Sequence, residues 1–148
     1  MHSFVSCLMH VVFSTKERRP LITSDLRVRL EPYLNGIAEK NNMRALAIGG
    51  VEDHMHILLS LPSTMAIAKS VQLIKGNSSK WIHEEFPMQK EFEWQEGYGA
   101  FSIGISGIAA TTAYLERQAE HHCKKTFKSE LSTILKKHGM QYQDWMLD

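Results

Sequence analysis

Residues 54–61 read His-Met-His-Ile-Leu-Leu-Ser-Leu, and this segment constrains the fold more than any other. Side chains of a β-strand point alternately to two faces. Such a strand places His54 and His56 on one face and Met55 and Ile57 on the other. The apolar face has to pack against a core, whereas the two imidazoles need polar partners. We therefore predict a strand whose two faces have different roles.

The order of the remaining elements predicts an α+β fold. The 148 residues suggest a single domain, 1–148, that is large enough to bury its own core. Strand, helix, strand, strand, helix and strand follow one another, and further helices complete the chain. This βαββαβ order is typical of the ferredoxin-like fold, an antiparallel sheet with helices on one face. The predicted strands cover about residues 3–15, 44–51, 54–61 and 93–105, and the predicted helices about 25–40, 64–86, 109–123 and 127–138.

In a ferredoxin-like sheet the first and third strands are central neighbours. The histidine pair should therefore lie beside His10 and look away from the two covering helices. We divide the domain into a core sheet, a helix that carries Tyr114, and a C-terminal helix with its tail; these cover about residues 3–105, 109–123 and 127–148.

Composition excludes some functional classes. The net charge is +1, and the apolar fraction of 43% is ordinary for a globular protein. No apolar run approaches the roughly 20 residues that span a bilayer, and the N-terminal segment is typical of a strand rather than a signal peptide, so we predict a cytoplasmic protein without a membrane partner. Cys7 and Cys123 form no metal motif and are expected to be free thiols.

The histidine pair has two interpretations. It is either a solvated or core pair, or two-thirds of a metal site that needs a third ligand. Tyr114 and Gln118 are four residues apart, so a helix places them on one face. A glutamine carbonyl oxygen would complete a mixed N,O site suited to Mg²⁺ or Mn²⁺. The phenol one turn away could then attack a phosphate, although a tyrosine packed at a helix boundary is the commoner case.

Several spaced motifs give the chain a family resemblance. It resembles the single-tyrosine HUH transposases of the insertion-sequence-200-like group, including those associated with repetitive extragenic palindromes. The matching segments are HVVFSTKERRPLI, GGVEDHMHILLSLP, QLIKGNSSKWI, WQEGYGAFSI, YLERQAEHH and the ending Phe-x-x-Glu-Leu…Lys-His-Gly-x-x-Tyr.

The resemblance implies roles for four residues. His54, His56 and Gln118 would bind the metal, and Tyr114 would be the nucleophile. It also implies cleavage of single-stranded DNA through a 5′-phosphotyrosine intermediate, with hairpin-forming ends as substrate. The protein would be a bacterial or archaeal, nucleoid-associated homodimer that shares its active sites between subunits. The roles of His10, His121 and His122, and action of the tyrosine in cis or in trans, stay open at this point.

DNA contacts are predicted at a short basic cluster and on the second helix. The candidate phosphate contacts are Lys16, Arg18, Arg19 and Lys75. Two other functions are compatible with the sequence. One is a domesticated single-strand DNA endonuclease of the same family, and the other is a non-catalytic ferredoxin-like nucleic-acid-binding module.

Overall fold

A computed structural model describes the backbone of residues 1–148 and the side chains of all of them except residues 121–123. His121, His122 and Cys123, which the sequence left without an assigned role or as a free thiol, therefore lie outside the described side chains. The elements are β1 (Leu8–Ser14), α1 (Ser24–Lys40), β2 (Arg44–Gly50), β3 (His54–Ser60), α2 (Ile67–Glu85), β4 (Gly99–Ile103), α3 (Ile108–Glu116), α4 (Gln118–Lys124) and α5 (Phe127–Lys137).

The four strands form one antiparallel sheet in the order β2-β3-β1-β4. The predicted βαββαβ order and the central position of β3 and β1 are confirmed. Val12 lies opposite His56, and Ser14 lies opposite His54. Because directly opposed residues share a face, His10, Val12 and Ser14 belong to the same face as the histidine pair.

The other face of the sheet carries the main core. Met55, Ile57 and Leu59 are at most 1% exposed and pack under α1 and α2. Helix α1 begins after Thr23, whose side chain caps it by accepting from the backbone of Leu26. Fully burying one such apolar side chain contributes about 1.5–3 kcal/mol, so this layer holds the sheet and helices together. The buried stripe of α1 is Leu26, Leu30, Leu34 and Ile37, as the periodicity predicts.

Three predicted boundaries differ from the structure. Strand β1 begins at Leu8 because its partner β3 ends opposite it, at Ser60. Strand β4 begins only at Gly99, after a loop whose Gly97 has a φ of 89° and whose carbonyls accept from Lys75. The predicted helix 109–123 is two helices, because the backbone leaves helical geometry at Arg117.

None of the helices described is both long and apolar enough to cross a membrane.

Candidate active site

The polar face of the sheet lies under α3, α4 and α5, and titratable side chains from these elements meet there. His54 and His56 come from β3, His10 from β1, and Tyr114 from α3. Both histidines of β3 are fully buried. The pair is therefore not a solvated one, and each ring has defined neighbours.

The Nδ1 atom of each histidine has its own partner. His54 Nδ1 lies 2.6 Å from the Asp53 carboxylate, and His56 Nδ1 lies 2.7 Å from Nε2 of His10. Metal-binding histidines are typically held in this way through the nitrogen that does not touch the metal. Both rings consequently direct Nε2 to the same place, the space under α5.

Tyr114 and Gln118 both reach this space, as their spacing predicts, despite the helix break between them. The amide Oε1 of Gln118 lies 3.0 Å from His54 Nε2. The Tyr114 ring stands edge-on to His56, with 5.7 Å between the ring centroids. The structure therefore brings together all four residues of the predicted chemistry.

A glycine allows the tyrosine helix to approach the sheet. Gly49 is the β2 residue opposite His56. A Cβ atom on Gly49 would overlap the backbone carbonyl of Leu115, the residue after Tyr114. The missing side chain thus sets how closely the nucleophile candidate lies to the histidines.

Glu130 of α5 belongs to the Phe-x-x-Glu-Leu segment of the resemblance, but sequence reasoning gave it no role in the site. Its carboxylate is 3% exposed and accepts hydrogen bonds from the Tyr114 hydroxyl and, at 3.0 Å, from the Gln118 amide. It also lies 3.0 Å from His56 Nε2 and 3.2 Å from His54 Nε2. One signal could have found it: Glu130 interrupts the buried stripe that Phe127 and Ile134 form on α5, which is the wrong place for an unpaired charge.

The environment gives the three histidines different proton affinities. Burial alone would lower the pKa of His54, but the neighbouring carboxylates of Asp53 and Glu130 outweigh it and raise that pKa to about 9. At His56, burial dominates and lowers the pKa. Burial, with a smaller effect of His56, lowers the pKa of His10 to about 3. His10 and His56 are thus neutral imidazoles that share one hydrogen bond.

The carboxylate and the phenol are shifted in opposite directions. Burial would raise the pKa of Glu130, but contacts with His54, His56 and Tyr114 outweigh it and lower that pKa well below its usual range. Burial and then Glu130 raise the pKa of the Tyr114 hydroxyl. The result is a buried anion that faces two imidazoles and holds a neutral phenol.

The donor set fits a divalent metal. His54, His56 and Glu130 offer ligand atoms that all lie within 4.8 Å of one another. Among the side chains described, His56 Nε2 and Glu130 Oε2 are buried and make no hydrogen bond. Metal–ligand bonds of about 2.1 Å at right angles place neighbouring donors about 3.0 Å apart, and the contacts of 3.0–3.2 Å around Glu130 and Gln118 match this spacing.

A cleft of about 340 Å³ leads to the site from solvent. Tyr114 and Glu130 are among its lining residues, together with the exposed Lys125 and Lys137. A larger cavity of about 680 Å³, beside β4 and the C-terminal tail, is lined by none of the site residues.

The four predicted DNA contacts have partners within the protein. Lys16 pairs with Glu93 at 3.0 Å, and Arg19 pairs with Glu91 at 2.6 Å. These two pairs are exposed, so they are weak and can exchange for phosphate.

The other two predicted contacts are held differently. Lys75 donates to the carbonyls of Gln95 and Gly97, and the Arg18 guanidinium lies over the Phe127 ring. Contact of these four residues with DNA stays a prediction.

Comparison with known proteins identifies the family. Residues 3–118 match the family described as "Transposase IS200 like". The transposase for insertion sequence element IS200 of Salmonella typhimurium is 30% identical over 125 residues, which cover 80% of this chain and 81% of that protein. The ISDra2 transposase TnpA of Deinococcus radiodurans is 25% identical over 114 residues, 74% of this chain and 81% of that protein.

Two solved structures share the fold. A crystal structure from Deinococcus radiodurans, described as that of a candidate transposase, matches with a TM-score of 0.65 and 22% identity over 80% of this chain and 95% of that one. A REP-associated tyrosine transposase bound to a REP hairpin matches with a TM-score of 0.57 and 14% identity over 78% of this chain and 68% of that one. These two matches show that the fold, as well as the sequence, is similar to that of transposases. The chain therefore belongs to the IS200-like transposase family and is a DNA-processing enzyme.

Proposed function

We propose that this protein is a metal-dependent single-stranded DNA transposase in which Tyr114 is the nucleophile. One observation carries the proposal: the Tyr114 hydroxyl donates to the same carboxylate that contacts both His54 and His56. Nucleophile and metal-ligand candidates thus share one space, and Tyr114 and Glu130 also line the cleft beside it. A purely structural tyrosine would not need this arrangement.

The proposed reaction is a transesterification. The phenol oxygen of Tyr114 attacks a DNA phosphorus atom, and the bond from phosphorus to the 3′-oxygen breaks. The phenol loses its proton and the leaving 3′-oxygen gains one, which gives a 5′-phosphotyrosine and a free 3′-OH. A 3′-OH of another DNA end then attacks the phosphotyrosine, restores the phosphodiester and releases Tyr114.

His54, His56 and Gln118 would hold a divalent metal, Mg²⁺ or Mn²⁺, beside this phosphate. When bound, such an ion stabilises the charge that develops on the phosphate oxygens. Asp53 and His10 keep the two imidazoles in position through their Nδ1 atoms. The protein's own contribution is thus orientation of the phenol and exclusion of bulk water.

The proposed substrate is single-stranded DNA with hairpin ends. The REP-associated relative was solved with a REP hairpin, which supports this substrate class. The cleft beside Tyr114 presents Lys125 and Lys137, whose charges suit a DNA backbone. Lys16 and Arg19 would add contacts where their exposed ion pairs open.

We further propose that the active protein is a homodimer. In the chain described, Tyr114 lies against the histidines of its own chain, which supports catalysis within each subunit. A mixture of Tyr114→Phe and His56→Ala subunits tests this. Restored cleavage would show that two subunits share one site, as the resemblance implies, and no restoration would support sites within single chains.

The test of the function uses hairpin DNA from the flanks of the gene, with Mn²⁺ or Mg²⁺. We expect a covalent protein–DNA adduct on a denaturing gel with single strands and none with duplex DNA. The adduct should disappear in Tyr114→Phe, and Tyr142→Phe serves as a control. A joined DNA product would support transposition over simple endonuclease activity, whereas absence of any adduct would favour a non-catalytic nucleic-acid-binding module.

A further inference from the structure

We infer that Glu130 is a fourth metal ligand, so that α5, which follows the residues 3–118 that match the family, completes the site. The family match ends at residue 118, before α5 begins at Phe127. The inference rests on the proposed metal site of His54, His56 and Gln118. It adds one residue and one structural element to that site.

The two oxygens of Glu130 have different surroundings. Oε1 accepts from the Tyr114 hydroxyl and from the Gln118 amide, which fixes the orientation of the carboxylate. Oε2 is buried, makes no hydrogen bond with the side chains described, and lies 3.2 Å from His54 Nε2. An unsatisfied buried carboxylate oxygen is costly, and a cation would remove that cost. Oε2 is therefore the ligand atom.

The four donors then form a consistent set. They are Nε2 of His54, Nε2 of His56, Oε1 of Gln118 and Oε2 of Glu130. His54 Nε2 lies 3.0 Å from the Gln118 oxygen and 3.2 Å from the Glu130 oxygen, the separation expected for neighbouring ligands of one ion. Two nitrogens and two oxygens leave positions for a phosphate oxygen on a six-coordinate ion.

Glu130 also positions the nucleophile. A single carboxylate connects the metal, through Oε2, with the Tyr114 hydroxyl, through Oε1. The distance between metal and phenol is then set by the docking of α5, which Phe127 and Ile134 anchor in a small apolar cluster with Val12 and Phe101. Metal binding should consequently order α5 against the sheet.

The experiment is a Mn²⁺ titration by calorimetry, without DNA. Glu130→Gln keeps the shape of the side chain and removes its charge, and Glu116→Gln makes the same change at an exposed position on α3. We expect Glu130→Gln to weaken Mn²⁺ binding at least about tenfold, because even the partners of metal ligands change affinity by about 10- to 100-fold. Glu116→Gln should bind as the unchanged protein does.

A second variant separates a ligand from a simple ion pair. Glu130→Asp keeps the charge but withdraws the carboxylate by one methylene. A ligand role predicts weaker Mn²⁺ binding in this variant, whereas a role in charge balance alone predicts unchanged binding. Circular dichroism without metal confirms that each variant folds. Binding of Glu130→Gln within about threefold of the unchanged protein, while His56→Ala abolishes it, would overturn the inference and leave the proposed site intact. Failure of the unchanged protein to bind Mn²⁺ would overturn both.

Discussion

Met55 and His56 are neighbours in the same strand and are equally buried, yet they serve opposite faces of the sheet. Met55 packs into a continuous apolar core under α1 and α2. His56 meets His10, Tyr114 and Glu130 under α3–α5. Burial alone therefore does not distinguish a structural layer from a chemical one. The difference lies in polar atoms that are buried without a full set of partners.

The largest expected effect comes from replacing one residue of each face, His56 or Met55, by alanine. His56→Ala should abolish Mn²⁺ binding and the DNA adduct, because it removes a ligand candidate. Met55→Ala should lower the free energy of unfolding by about 2–5 kcal/mol, since it leaves a cavity in the core. Calorimetry, adduct formation and denaturant unfolding check this contrast. Equal losses of binding and stability in both variants would show that the two faces are not separate.

The next effect concerns the approach of the tyrosine helix to the polar face. Gly49→Ala should destabilise the protein by about 1–3 kcal/mol, because the added Cβ overlaps the Leu115 carbonyl. It should also slow adduct formation by about 100-fold, the typical result of misplacing a reacting group by 1 Å. The control is Gly36→Ala in α1, where an added Cβ would meet no atom within 4 Å beyond its chain neighbours and the backbone of its own helix. This variant should instead add about 0.5–1 kcal/mol of stability. A Gly49→Ala protein with normal adduct rates would contradict the proposed docking.

A smaller effect is expected from a residue that only holds a histidine. Asp53→Asn removes the charge that accepts from His54 Nδ1 at 2.6 Å. Mn²⁺ affinity should fall by about 10- to 100-fold. Asp25→Asn, at an exposed position in the first turn of α1, is the matched control. Unchanged affinity in Asp53→Asn would mean that this hydrogen bond does not orient a ligand.

The smallest effect separates two candidate DNA surfaces. Lys137→Ala in the cleft should weaken binding of single-stranded DNA. It should also make the slope of log K against log salt concentration shallower by about 0.7, the value for one phosphate contact. Lys16→Ala should have less effect, because Lys16 is paired with Glu93. Binding measured at several salt concentrations checks both. A larger loss of DNA binding in Lys16→Ala than in Lys137→Ala would indicate that the DNA contacts the short basic cluster around Lys16 instead.

Much of the fold could be predicted from the sequence because its apolar periodicities are strong. The alternation in β3 and the stripe of α1 determine one face of the sheet, and the element order determines the topology. The juxtaposition of Tyr114 and Gln118 could be predicted because the two residues are only four apart in the sequence. The role of Glu130 could not be predicted, since its contacts with the histidines span more than 70 residues and depend on how α5 docks. The helix break at Arg117 also had no clear local signal, because Arg is a good helix former.

The central claim is that the Tyr114 hydroxyl becomes bonded to DNA. Peptide mapping of the adduct by mass spectrometry, after digestion of both protein and DNA, tests it directly. We predict a nucleotide attached to the peptide that contains Tyr114, at full occupancy of the adduct. Attachment to Tyr98 or Tyr142, the tyrosines that line the larger cavity, would contradict the account.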